Sequence, residues 1–168
     1  LFEHVNEIEF ISCQFLLYSG NGGLSINNPF ITRRIGNNPQ ARLIRVQNCS
    51  FTAHPAESGQ PTFLTYSAVR VFLHASTQLI ALFENCQMSN IRMSNIRLNN
   101  MKPARTLTQA VLSIYTHNPR TTNVTIVNCN FTNCSSGSMI RVFTCPLPGR
   151  DVTLVTVIRS IIAQSLIF

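Results

Sequence analysis

The stretch Thr125–Ser136 reads TIVNCNFTNCSS. A β-branched run leads into an asparagine, a cysteine follows directly, and a phenylalanine stands two residues further on. The phrase returns as RVQNCSF (Arg45–Phe51), and more loosely as EFISCQF (Glu9–Phe15) and LFENCQM (Leu82–Met88). Cys13, Cys49, Cys86, Cys129 and Ser160 can be set in one column. Two residues later stand Phe15, Phe51, Met88, Phe131 and Ile162. Three residues earlier stand Phe10, Val46, Phe83, Ile126 and Val157, and five earlier Ile8, Ile44, Ala81, Val124 and Val155. All three of these columns are apolar throughout, while the columns between them are mixed or polar. The pattern is a period-two alternation, interrupted just before the cysteine and repeated five times.

Each repeat therefore reads as two short strands joined by a bend. The bend changes the direction of the chain without changing which side faces in. Asparagine suits it, because it tolerates left-handed backbone angles and can bond its own backbone. Stacked one above another, Asn48, Asn85 and Asn128 would form a side-chain ladder with a spacing of about 4.8 Å.

A third strand is expected in each repeat, at residues 23–27 (GLSIN), 69–75 (VRVFLHA), 110–116 (AVLSIYT) and 138–144 (SMIRVFT). These segments are rich in β-formers and lie between turn signals such as HNPRTTN and PLPGRD. Three strands per coil give an all-β chain, a right-handed parallel β-helix of four to five coils. Residues 1–168 form a single β-helix domain on this reading, a segment of a longer solenoid. The anchor positions are 36, 37, 43 and 31 residues apart. That exceeds what three short strands need, so the surplus is expected to loop out at PFITRRIGNNPQ, at HPAESGQP and between Asn90 and Thr108. Within the last of these, MSNIRMSNIRLNNM (Met88–Met101) has a five-residue period that places Ile91, Ile96 and Met101 in phase with Cys86. It reads as one widened coil, since residues five apart do not share a helical face.

The phrase VTIVNCNFTNC (Val124–Cys134) resembles the parallel β-helix repeats of the pectin-lyase-like superfamily. It is also similar to repeats of extracellular and cell-surface β-helix proteins such as the polymorphic outer-membrane proteins. GNGGLSI (Gly20–Ile26) partly matches the glycine-rich phrase of the latter. As a pattern of columns the resemblance runs from about Ile8 to Ile162, and it implies a fold that hosts enzymes, adhesins and fibres alike.

Enzymes of the pectin-lyase-like group use clustered carboxylates, and glycoside hydrolysis in general needs two that face each other. This chain has one aspartate, Asp151, in a turn, and glutamates at positions 3, 7, 9, 57 and 84. Glu9 and Glu84 fall in different columns, and Arg45 shares the column of Glu9. The four histidines form no metal-ligand spacing with cysteine, and GNGG lacks the lysine and helix of a phosphate loop. No catalytic residue, cofactor or metal is expected, and the chain reads as a non-enzyme. The net charge of +7 comes from scattered arginines. Without interleaved aromatics they do not point to nucleic acid. The longest apolar run, VTLVTVIRSIIAQSLIF, is broken by Arg159 and falls short of a membrane span.

Cys13, Cys49, Cys86 and Cys129 are expected to stack in the core as reduced thiols. Parallel strands hold successive Cβ atoms about 4.8 Å apart, beyond disulfide reach. Cys134 and Cys145 leave strands near turns of one coil, and they are the expected bridge in an oxidising compartment. Four triplets match the glycosylation acceptor, beginning at Asn48, Asn123, Asn130 and Asn133. Asn48 belongs to a buried bend on this reading and is a poor acceptor. Asn123 precedes a strand in a turn, and Asn130 points outward.

The functional expectation is a non-enzymatic structural or adhesive segment of an extracellular or cell-surface β-helix protein, forming fibres as a subunit. The alternative is a carbohydrate-binding or carbohydrate-processing β-helix. A β-helix exposes unpaired backbone and core side chains at its ends, and solenoids normally cap them. Both LFEHVNEIEF and SIIAQSLIF are apolar instead. The expected partners are further coils of the same chain or other copies docked end to end, with glycans as a further class.

Overall fold

The computed structural model describes residues 7–18, 24–28, 41–54, 63–64, 67–74, 78–93, 110–117, 121–136, 138–145, 152–158 and 160–164. All of its regular elements are strands, and every pairing between them is parallel. The chain runs through three sheets in turn and then returns to the first. The first circuit is β1 (Glu7–Ile11), β2 (Gln14–Leu17) and β3 (Leu24–Asn28). The second is β4 (Ala41–Gln47), β5 (Ser50–Ala53), the two-residue β6 (Phe63–Leu64) and β7 (Val69–His74). The third is β8 (Gln78–Glu84), β9 (Gln87–Ser89), β10 (Arg92–Met93) and β11 (Ala110–His117). The fourth is β12 (Thr121–Val127), β13 (Asn130–Cys134) and β14 (Ser138–Cys145), and the fifth holds β15 (Val152–Ile158) and β16 (Ile161–Gln164).

The sheets have the orders β1-β4-β8-β12-β15, β2-β5-β9-β13-β16 and β3-β7-β11-β14, and β6 pairs with β10 in a small fourth sheet. Consecutive circuits are thus neighbours in every sheet, an arrangement compatible with a β-helix. The register matches the columns read from sequence. Ile8, Ile44, Ala81, Val124 and Val155 are mutual partners, as are Phe10, Val46, Phe83, Ile126 and Val157. Phe15, Phe51, Met88, Phe131 and Ile162 line up in the second sheet. All four expected third strands are present, and each keeps its predicted start to within one residue.

Period two holds this register because the inward residues of all three sheets meet in one core. Phe51, Phe83 and Phe131 are fully buried. They pack with Ile44, Val46, Ile126, Val71 and Ile114. Each such side chain contributes about 1.5–3 kcal/mol by leaving water. A one-residue slip would turn the whole set outward. The Phe15 ring stacks on that of Phe51 at 4.6 Å, nearly parallel.

Three expectations change here. Asn123 is the third residue of β12 and does not precede the strand. The β6–β10 pair adds a small sheet that the columns do not reveal, because each strand is only two residues long. The loop-out expected between Asn90 and Thr108 does not begin at Asn90, since Ile91 and Met93 are buried and Arg92–Met93 form β10. Its remainder at 94–108, with Ile96 and Met101 of the five-residue repeat, lies outside the described residues, as do the loop-out expected at 29–40 and, beyond His54, the one at 54–61.

Candidate functional site

The passage from first to second sheet is the most regular polar feature of the molecule. Ser12, Asn48, Asn85 and Asn128, the residues before the cysteines, have φ of 52–54°. This left-handed region is costly for most residues and least so for asparagine and glycine. The bend turns these side chains outward, so Asn48 is exposed rather than buried as expected. The ladder itself is present: Asn85 Nδ2 donates to Asn48 Oδ1 and Asn128 Nδ2 to Asn85 Oδ1, both at 3.2 Å. Backbone pairing continues across the bend. The Asn48, Asn85 and Asn128 amides donate to the carbonyls of Glu84, Val127 and Ile158 in the next circuit.

The cysteines do more than pack. Each thiol donates to the carbonyl two residues before it: Cys13 to Ile11, Cys49 to Gln47, Cys86 to Glu84 and Cys129 to Val127, at 3.2–3.4 Å. The thiols of Cys49, Cys86 and Cys129 also reach carbonyls of the circuit below, at Phe10, Val46 and Phe83. Burial raises the Cys49 thiol above its ordinary range. Cys86 and Cys129 shift in opposite senses: the interaction between the two thiols, with burial, raises Cys86, and the same interaction lowers Cys129. The raised Cys49 and Cys86 thiols stay protonated and are poor nucleophiles.

A second corner follows five residues later. Asn90 and Asn133 have φ of 58° and 50°, and Asn133 Nδ2 donates to Asn90 Oδ1 at 2.7 Å. Ile91 and Cys134 then turn inward, both fully buried. The Cys134 thiol donates to Thr132 O and Met88 O, and burial pushes it up. Cys134 is a free thiol, so the expected bridge to Cys145 is not formed in this structure. The reason is local: the left-handed Asn133 aims Cys134 into the core, where its sulfur is already occupied. Cys145 pairs with His117 at the end of β14, and its side chain lies outside the described residues. The signal for this corner was in the sequence, since Asn85-Cys86 and Asn90-Ile91 repeat the phase of Asn128-Cys129 and Asn133-Cys134.

Of the three acceptor asparagines, Asn133 is exposed at its corner, whereas Asn123 and Asn130 are half-buried in strands. The Oδ1 atoms of Asn123 and Asn130 are buried without a hydrogen-bond partner. The acids among the described residues are Glu7, Glu9 and Glu84. Arg45 ion-pairs with both Glu7 and Glu9, and Glu84 accepts from Gln47 Nε2 at 2.7 Å. Also among the described residues, no group of three or more His, Cys, Asp or Glu could hold a metal. Among the described residues no helix is long and apolar enough to cross a membrane.

The outward side of the third sheet holds what the linear sequence concealed. Arg70 and Arg141 share a column with Ser113 between them, and Tyr115 and Phe143 share the next column. The Tyr115 and Phe143 rings stack at 5.3 Å, close to parallel. Arginine and aromatic side chains thus occupy adjacent columns across strands, with Ser113 between the arginines buried and hydrogen-bonded to Ser67. The repeated VRVF (69–72) and IRVF (140–143) carried that signal. No protein-family model, curated protein or solved structure matches the chain.

Proposed function

We propose that the chain is a segment of a right-handed parallel β-helix with a non-enzymatic structural or adhesive role at the cell surface or outside the cell. The observation that carries this reading lies on β15. Val155 and Val157 belong to core columns, yet they are 42% and 49% exposed, whereas Ala81, Val124, Phe83 and Ile126 in the same columns are 0–1% exposed. At the other end the core-column residues Ile8, Phe10 and Phe15 of the first circuit are only half-buried, whereas their partners Ile44, Val46 and Phe51 are 0–1% exposed. Each apolar side chain left wet forgoes stabilisation at about 25 cal/mol per Å², and a β-edge beside it invites pairing. Further coils of the same chain or another copy stacked end to end would cover both. Sedimentation velocity across a wide concentration range tests this. Association that grows with concentration is expected, and a monomer at all concentrations sinks the reading.

The extracellular setting rests on the acceptor triplets, and Asn133 is the most accessible of them. Intact mass before and after glycosidase, on protein secreted from eukaryotic cells, is the test. A carbohydrate-binding role is the second reading, favoured by Arg70 and Arg141 beside Tyr115 and Phe143. If acidic oligosaccharides bind, Arg141→Ala weakens them. Equal binding by that variant removes this face from consideration.

A further inference from the structure

We propose that the cysteine column is a lock on the stacking register, in which the corner side chain of one circuit replaces a backbone rung that the left-handed residue removes. Parallel strands pair through regularly spaced amides and carbonyls, and the bend interrupts that series at the cysteine's own amide. Two contacts show what takes its place. The Cys13 amide donates to Cys49 Sγ at 3.4 Å, and the Cys129 amide donates to Ser160 Oγ at 3.2 Å. In return the upper side chain donates downward, as Cys49 does to Phe10 O, Cys86 to Val46 O and Cys129 to Phe83 O. A side chain in this position must be small, accept one amide and donate to a carbonyl. Cysteine and serine meet those requirements, and the column contains only these two.

The second corner supplies a check. Cys134 repeats the pattern, donating to Met88 O in the circuit beneath and to Thr132 O in its own. Ile91 stands at the same point one circuit lower. The circuit below Ile91 has Ala53 and His54 there and no left-handed residue, so no interrupted amide lies beneath it. An apolar residue is found only where the lock has nothing to close. A slip of one residue would set Ser12 or Gln14 against Cys49 and break both directions of bonding, in addition to turning the core outward.

The test is amide hydrogen exchange by NMR on the intact chain. In Cys49→Ala the Cys13 amide should exchange about tenfold faster, the factor that accompanies loss of one neutral hydrogen bond. In Cys49→Ser its protection should return to within about twofold of the parent, on the same bond energy. The Ile114 amide, in the third sheet, should be unaffected in both. A packing role alone would make the alanine and serine variants equal at Cys13, and that result overturns the lock. Ser160→Ala, which removes one oxygen from a half-buried site, gives an independent reading. Faster exchange at the Cys129 amide supports the lock, and unchanged exchange overturns it.

Discussion

At the first corner four left-handed residues, Ser12, Asn48, Asn85 and Asn128, stack through four successive circuits; at the second only Asn90 and Asn133 do. The backbone device is the same at both, and so is the asparagine-to-asparagine bond that caps it. The difference lies behind the bend. Thiols stand at the first corner in all four of those circuits, with Ser160 in the next, whereas the second pairs Cys134 with Ile91. In the first two circuits the second corner is absent. There the corresponding residues are Tyr18 and His54, which stay exposed with rings stacked at 5.5 Å. The first corner is thus a property of the repeat, and the second was added locally to a stack that did without it. A bend serving every circuit carries the register; one serving two circuits only shapes the outline.

The largest expected effect is at the residue between the corners. Phe131 is fully buried, two residues after Cys129 and three before Cys134. Truncation to alanine should cost about 3–5 kcal/mol, the range for buried aromatics. Urea denaturation measures it, with the midpoint shift read at constant slope. A loss below about 1 kcal/mol, typical of surface substitutions, would mean that the corners hold this segment without help from the core.

Asparagine substitutions compare the corners directly. Asn85→Ala removes the polar side chain that offsets the cost of a left-handed conformation, about 1–2 kcal/mol, and it also cuts the ladder on both sides. Asn133→Ala carries the same backbone term but ends a two-member ladder, so its loss should be smaller. Glycine at either site removes the backbone term and leaves only the side-chain bond to be lost. If Asn133→Ala proved the more damaging, the second corner would be the essential one and the ranking above would be reversed.

Much of this was legible in sequence, for a reason that also explains what was not. The core columns repeat with period two over segments of four to eight residues, and burial enforces that period locally. Phe15, Phe51, Met88 and Phe131 therefore fell into register without any knowledge of the loops. The corner asparagines were legible as bends, but not the side to which they turn. A left-handed residue reverses the alternation, so Asn48 comes out exposed and Cys134 comes out buried. Without the second corner, Ile91 reads as one step of the five-residue repeat that continues from Cys86, and Cys134 reads as a disulfide partner of Cys145. The Arg70, Tyr115, Arg141 and Phe143 group depends on pairing between strands 28–43 residues apart in the chain, which no local pattern contains.

The thiols give a pH test of the same comparison. Burial raises Cys49 and Cys134, while the interaction between Cys86 and Cys129 raises the first and lowers the second, so that this pair offsets itself. In the unfolded chain a thiol ionises near pH 8.5, at about its ordinary value. Below that pH neither state gains, and the full stability is present. Above it the unfolded state loses protons that the folded state retains, so stability falls as pH rises, by up to about 1.4 kcal/mol per unit for each thiol. Urea midpoints between pH 7 and 10 should decline, and Cys49→Ser and Cys134→Ser should each flatten the decline. A profile that stays level to pH 10 would place the thiols in water.

The smallest effect is expected at Asn130, and it sharpens the comparison because this residue joins the corners. Its neighbours Cys129 and Phe131 point into the core, while Asn130 lies half-buried on the outer side of β13. Its Oδ1 is buried and has no hydrogen-bond partner. An unsatisfied buried acceptor costs about 1–3 kcal/mol, so alanine relieves a penalty while giving up some packing. The two should nearly cancel, leaving a change within about 0.5 kcal/mol of zero, in either direction. Calorimetric midpoints of Asn130→Ala and Asn128→Ala, two residues apart, make the cleanest pair. Asn128→Ala loses its left-handed preference and a ladder bond, and Asn130→Ala loses neither. Equal losses would mean that the bend at Asn128 contributes nothing of its own, and that the first corner owes its regularity to the strands on either side.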